Sequence, residues 1–230
     1  MGLISGVLVI LVVLALIALL VTGIVTFRRG ALSFATVVHT YTAFVLGLCI
    51  VLALWGGALL LTSLASVVIA RDFSYQTADF PRPVPPPGVA PIAPQEPTGA
   101  ARAATQAGND LARGITLLVI GIGLGAIHAY AKTIAARRDV IDGGVIDRGL
   151  DVALLAVGTG VGLASGTMLL NDLLRRYVVT AAPPTAYTEG HPGGALGLVL
   201  MFVPLWVYYA WRVWRALGAS PASAPVPPTA

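Results

Sequence analysis

Apolar residues run along this chain in long blocks instead of alternating with polar ones. The first block, residues 3–26, has no charged side chain. At ~1.5 Å per residue it can cross a hydrocarbon core of ~30 Å with some tilt. A cleavable secretory signal is the rival reading, but it would carry a basic start, a shorter apolar core and a small-residue cleavage site. This block opens Met-Gly-Leu-Ile, runs longer, and is followed by Arg28 and Arg29, so a retained helix is expected. Residues 33–70 form a second block, too long for one upright span. Gly56-Gly57 is the only candidate turn inside it and no polar residue marks a loop. One long helix ending near Ala70 is therefore expected. Residues 114–131, 150–170 and 194–211 form three more blocks of spanning length.

The segments between the blocks have a different chemistry. Residues 81–97 hold eight prolines. Proline lacks the amide donor and fixes φ, so neither a helix nor a central strand can form there. A linker in polyproline II or without fixed structure is expected, with docking onto a partner protein as the alternative. The tail 219–230 has the same character. The connector 132–149 is short and charged, and 177–193 carries Pro183-Pro184 and Pro192, which mark a loop. The expected division is a transmembrane helix in 1–30, a first-repeat helix in 31–80, a Pro-rich external loop in 81–107, its partner helix in 108–140, a second hairpin in 141–218 and a disordered tail. The fold class is an all-α integral membrane bundle of five transmembrane helices, one N-terminal helix plus two tandem helix hairpins.

Composition supports lipid as the solvent. Hydrophobic residues make up 57% of the chain, charged residues 10%, and the mean hydropathy is +0.87. Soluble domains carry about 25% charged residues, so a water-facing surface cannot be built here. The net charge of +4 does not indicate a nucleic-acid partner, because no Lys/Arg run exceeds two and Lys132 is the only lysine. The arginines instead flank the spans, where they meet headgroups and set orientation. With the N-terminus outside, Arg28, Arg29, Lys132, Arg137, Arg138, Arg148, Arg212 and Arg215 fall inside and Arg71, Arg82, Arg102, Arg113, Arg175 and Arg176 outside, Arg82 and Arg102 deep in a long loop that counts for less. The expected arrangement is an outer N-terminus and a cytoplasmic C-terminus in a bacterial inner membrane. Cys49 is the only cysteine and lies within a span, which leaves no disulfide framework and no cysteine-based metal site.

The last four blocks are related in pairs. A shift of 80 residues lays 114–131 on 194–211, matching His128 with Tyr208 and Lys132 with Arg212. A shift of 109 lays 33–70 on 150–170, matching Gly57 with Gly166 and His39 with Arg148. Both pairs start from the same side, so the repeat is parallel. The last block carries Val203-Pro204-Leu205-Trp206-Val207-Tyr208-Tyr209, then Arg212. Over residues 36–216 the chain resembles a bacterial multi-pass membrane family of unknown function, built of tandem two-helix repeats that end in such a Pro-Leu-Trp motif. The first repeat departs from it, since Leu124-Gly125-Ala126-Ile127-His128 lacks both Pro and Trp. The resemblance implies a fold and no activity.

Candidate chemistry is sparse. His39 and His128 are expected at one depth near the inner surface, where two imidazoles on facing helices can ligate a b-type haem. Interfacial anchoring is the competing reading and suits the Arg148 and Tyr208 that replace them in the second repeat. His191, beside Pro192, is expected in solvent. Gly121, Gly125, Gly158, Gly162 and Gly166 recur at four-residue spacing, which lets helix backbones approach closely. Trp206, Tyr208, Tyr209, Trp211 and Trp214 read as an aromatic belt at the membrane interface, with a quinone contact as the alternative. Thr62, Ser63, Ser165, Thr167 and Asn171 are the only groups that suggest a polar path for a carrier. Asp151 is expected to pair with Lys132, Arg137 or Arg148, and Asp172 with Arg175 or Arg176. No charge lies at a span centre, and no nucleophile, phosphate-binding or metal motif is present. The expectation is a structural or accessory subunit, not an enzyme, with no cofactor. The bilayer and a membrane-protein partner or second copy would be its contacts.

Overall fold

Residues 34–77, 97–137, 144–178 and 191–218 are described in the computed structural model of the chain. The helix expected over 3–26, most of the Pro-rich segment and the tail 219–230 lie outside the described residues. Regular structure among the described residues is helical throughout: α1 Phe34–Val68, α2 Arg71–Ser74, α3 Gly99–Arg137, α4 Gly144–Tyr177 and α5 Gly193–Gly218. Four of these helices are long and apolar enough to cross a membrane.

The block 33–70 is one helix, without a turn at Gly56-Gly57. Inside lipid an unpaired backbone amide costs several kcal/mol, so an apolar run with no polar side chains to complete a turn continues as helix. The third block begins earlier than expected. Residues 99–107 belong to α3 and not to the external loop. Thr98 accepts the Ala101 amide at 3.3 Å, a side-chain N-cap. The Ala-rich sequence that follows has high helix propensity. Proline at position 97 ends the segment that cannot be helical.

The helices run alternately up and down. α1 packs most extensively on α3, and α4 packs most extensively on α5. α1 also lies against α5 and more lightly against α4. α1 is thus the central helix, with α3 on one side and the α4–α5 pair on the other. The core of buried side chains lies on the second side, around Ala43, Val51, Leu154, Val157, Val161 and Phe202.

Glycine position decides how closely the axes approach. A Cβ on Gly121 would stand 2.7 Å from both the Ala53 amide nitrogen and the Cys49 carbonyl oxygen on α1. Gly56 and Gly114 face one another, each Cβ position falling within 3 Å of the other residue's carbonyl oxygen. In lipid there is no hydrophobic drive between helices, so these backbone contacts supply dispersion that larger residues would prevent.

Candidate functional site

Polar side chains gather at the two ends of the bundle. On α4 the end carboxylates Asp151 and Asp172 are separated by ~31 Å of helix, close to the thickness of a hydrocarbon core. One cluster lies around His39 and the other around Tyr75.

The His39 end joins all four long helices. Asp147 on α4 accepts from Lys132 Nζ of α3 at 2.6 Å and from His39 Nε2 of α1 at 3.2 Å, both on Oδ1. One turn further along α4, Asp151 pairs with Arg212 of α5 at 3.1 Å. This corrects the expected pairing: Lys132 is taken by Asp147, and Asp151 finds its cation on α5. The chain pattern alone cannot choose, since α3 and α5 both end in a basic residue at this depth. The Arg212 guanidinium also lies over the Tyr208 ring, 5.8 Å from its centroid.

The two histidines have separate partners. His39 is buried and gives its Nε2–H to Asp147, so that nitrogen is not free to ligate iron. His128 donates Nδ1–H to the Leu124 carbonyl at 2.8 Å and packs beside Tyr41, with ring centroids 5.9 Å apart. No group of three His, Cys, Asp or Glu side chains converges on a metal position among the described residues.

The Tyr75 end was not foreseen from the sequence. α1 ends in a corner where Ser74 donates to the Thr62 carbonyl at 2.9 Å and Gly193 packs directly on Ser74. Tyr75 is buried and donates to Asp110 of α3 at 3.0 Å. Burial and the neighbouring carboxylate push the Tyr75 hydroxyl well above its ordinary pKa. Arg176 of α4 binds Asp72 at 2.7 Å and also reaches its carbonyl. That hydrogen bond holds the Asp72 carboxyl below its ordinary pKa, although burial opposes it. Asp172 has His191 and Arg175 as its electrostatic neighbours, while Arg176 has gone to Asp72. His191 is partly buried, not free in solvent: Nδ1 donates to the Asp72 carbonyl at 2.8 Å, and Nε2 is buried without a hydrogen-bond partner. A short range of chain between α1 and α3 hid this junction, because four residues of helix and one tyrosine give no periodic signal.

Between the ends the hydroxyls are bound to backbone carbonyls. Thr62 donates to the Ala58 carbonyl at 2.8 Å, Ser165 to the Val161 carbonyl at 2.7 Å and Thr167 to the Leu163 carbonyl at 2.9 Å. Each is the i−4 bond by which a hydroxyl is satisfied within its own helix. Ser63 instead crosses to α3, donating to the Ala107 carbonyl at 3.2 Å. Asn171 is exposed on the side of α4. These hydroxyls bond to different carbonyls, three on their own helix and one on α3.

Among the glycines singled out by spacing, Gly121 and Gly125 face Cys49, Gly158 lies on the Trp206 backbone and Gly162 near Val203. Gly166 differs: no atom lies within 4 Å of its Cβ position, so close helix approach is not its role. The aromatic run also divides. Trp206, Tyr208, Trp211 and Trp214 are exposed, whereas Tyr209 is 7% exposed and belongs to the core. It stands seven residues after fully buried Phe202, on the same helix face. Gly56, Gly114 and Gly197 are close contacts with another helix's backbone that spacing missed.

No protein-family model, no curated protein and no solved structure matches the chain.

Proposed function

We propose that the chain is a structural or accessory subunit of a membrane complex. The observation that carries this reading is the separation of polar chemistry from the span centres. Charged side chains occupy the two ends, and the hydroxyls between them are bound to carbonyls. A coupled carrier or proton pathway needs an ionisable group within the bilayer, where it is costly and kept for its work. The helix surfaces support a second feature of the reading. α3 packs on α1 along one side, and its opposite side presents Ile115, Val119, Ile122 and Ile127. Such a helix suits a lateral contact with another membrane protein as well as with lipid.

The same reading takes residues 3–26 as a fifth crossing, the N-terminus as external and the inner membrane of a bacterium as the location. Its support is the distribution of Lys and Arg at the span ends. The family resemblance carried by Val203–Arg212 agrees with two tandem hairpins, because each hairpin's helices pack mainly on one another.

Native mass spectrometry after gentle extraction tests the role. A complex of defined stoichiometry with another membrane protein is the expected result. A monodisperse monomer that keeps its fold and loses nothing on extraction counts against a subunit role.

A further inference from the structure

We propose that the C-terminal stripe of α5 is a binding site for the headgroup of an anionic phospholipid, centred on Arg215. Tyr208, Trp211, Arg212 and Arg215 follow one another at i, i+3, i+4 and i+7 and therefore share a helix face. The Arg215 guanidinium lies over the Trp211 indole, 4.3 Å from its centroid. Tyr208 contacts Trp211, with centroids 6.5 Å apart, and carries Arg212 on its other side. The cations at this end differ in what balances them. Asp147 neutralises Lys132 and Asp151 neutralises Arg212. No carboxylate lies within ion-pair distance of Arg215 among the described residues, and it sits in the last turn of α5. The negative end of the helix dipole favours a cation there but does not neutralise it.

Position and surroundings select the ligand. Gly193 and Arg215 are ~33 Å apart along α5, so the guanidinium sits where a bilayer places its phosphates. Trp211 is 51% exposed, Trp214 79% and Leu217 80%, which leaves a broad apolar face beside the charge. A free phosphate would satisfy the guanidinium and leave that face bare. A phospholipid covers both, with phosphate on Arg215 and glycerol and upper acyl carbons on the indoles. A zwitterionic headgroup brings its own ammonium, whereas an anionic one supplies the charge that Arg215 lacks.

Lipid-selective fluorescence quenching tests the site in the full chain. Trp55 is the only tryptophan outside α5, so W55F confines the emission to Trp206, Trp211 and Trp214. The protein is reconstituted in phosphatidylcholine vesicles containing either dibrominated phosphatidylglycerol or dibrominated phosphatidylcholine at equal mole fraction. The expected result is a relative affinity of about fivefold for phosphatidylglycerol, the size of one basic residue near an anionic surface. R215Q should bring the ratio close to one, while R215K keeps most of it. R113Q, the same charge change at the other end of the bundle, should leave it in place. Equal quenching by the two lipids in the W55F protein overturns the proposal, as does a preference that survives R215Q or falls equally in R113Q. Quenching by neither lipid would mean that a protein covers the stripe, and also overturns it. Inorganic phosphate, compared with chloride at the same ionic strength, should not relieve the quenching; if it does, the ligand is the phosphate ion and not the lipid. A circular-dichroism spectrum equal to that of the parent protein confirms that R215Q is folded.

Discussion

The two hairpins solve the same packing problem in opposite ways. In the first, α1 and α3 meet backbone to backbone at Gly56, Gly114 and Gly121, and the Leu60 side chain lies against Gly114. In the second, α4 and α5 meet through Leu154, Val157, Val161, Phe202 and Tyr209, and only Gly158 is pressed against the partner backbone. Lipid tails are as apolar as these side chains, so neither seam is driven by escape from water. What each gains is contact. The first obtains it from close axes and many small atoms, the second from interlocked large ones. A seam of the first kind is intolerant of added volume, and one of the second kind is intolerant of lost volume.

That contrast predicts the largest effect for volume added to the first seam. Gly121→Leu forces its side chain into the α1 backbone and should cost about 3 kcal/mol, the upper range for overpacking a tight core. Gly166→Leu, pointing into open space, should cost under ~0.5 kcal/mol, as for a benign surface change. Unfolding in mixed micelles, followed by circular dichroism, measures both. Similar losses in the two variants would break the comparison.

Phe202→Ala removes volume from the second seam. The water-transfer contribution is absent in lipid, so only lost contacts and the cavity remain, about 2 kcal/mol. The same assay should show a smaller loss than Gly121→Leu. A smaller loss again is expected at the polar end: Tyr75→Phe strips the Asp110 carboxylate of its donor and should cost about 1–2 kcal/mol. The smallest effect concerns acid. Asp72 has a lowered folded-state pKa, so its stabilisation is present above its unfolded value near ~4 and is lost as pH falls through the folded value. The pair is well exposed, Asp72 at 42% and Arg176 at 22%, which limits the contribution to under ~1 kcal/mol. Comparing thermal midpoints at pH 6 and pH 3, Asp72→Asn should lose less stability on acidification than the parent protein. An equal loss would place the acid sensitivity elsewhere.

Hydrophobic blocks located each of the four described spans, and the absence of any polar turn signal identified 34–68 as a single helix. They did so because lipid imposes one requirement on every residue of a span, and that requirement is local. The start of α3 was misplaced by a similar logic: a polar, Ala-rich run has no apolar stripe to betray it, although Thr98 and the helix formers after it carried the signal. Glycine spacing marked Gly121 and Gly158 but also Gly166, since a four-residue interval puts small residues on one face without saying what that face meets. Gly56 and Gly114 have no such interval and became visible only when α1 lay on α3.

The sequence by itself determined the solvent of this protein, the number of the apolar rods among its described residues, and the confinement of charge to their ends. These follow from composition along a line, where each residue is judged by its transfer to lipid. The tertiary structure alone decided which rod is central, that Asp147 takes Lys132 while Asp151 takes Arg212, and that Asp72, Tyr75 and His191 close the far end. Those choices depend on which faces of the rods meet. Two cations at the same depth are equivalent to a carboxylate until the helix axes are placed, and then a few ångströms separate the partner from the bystander.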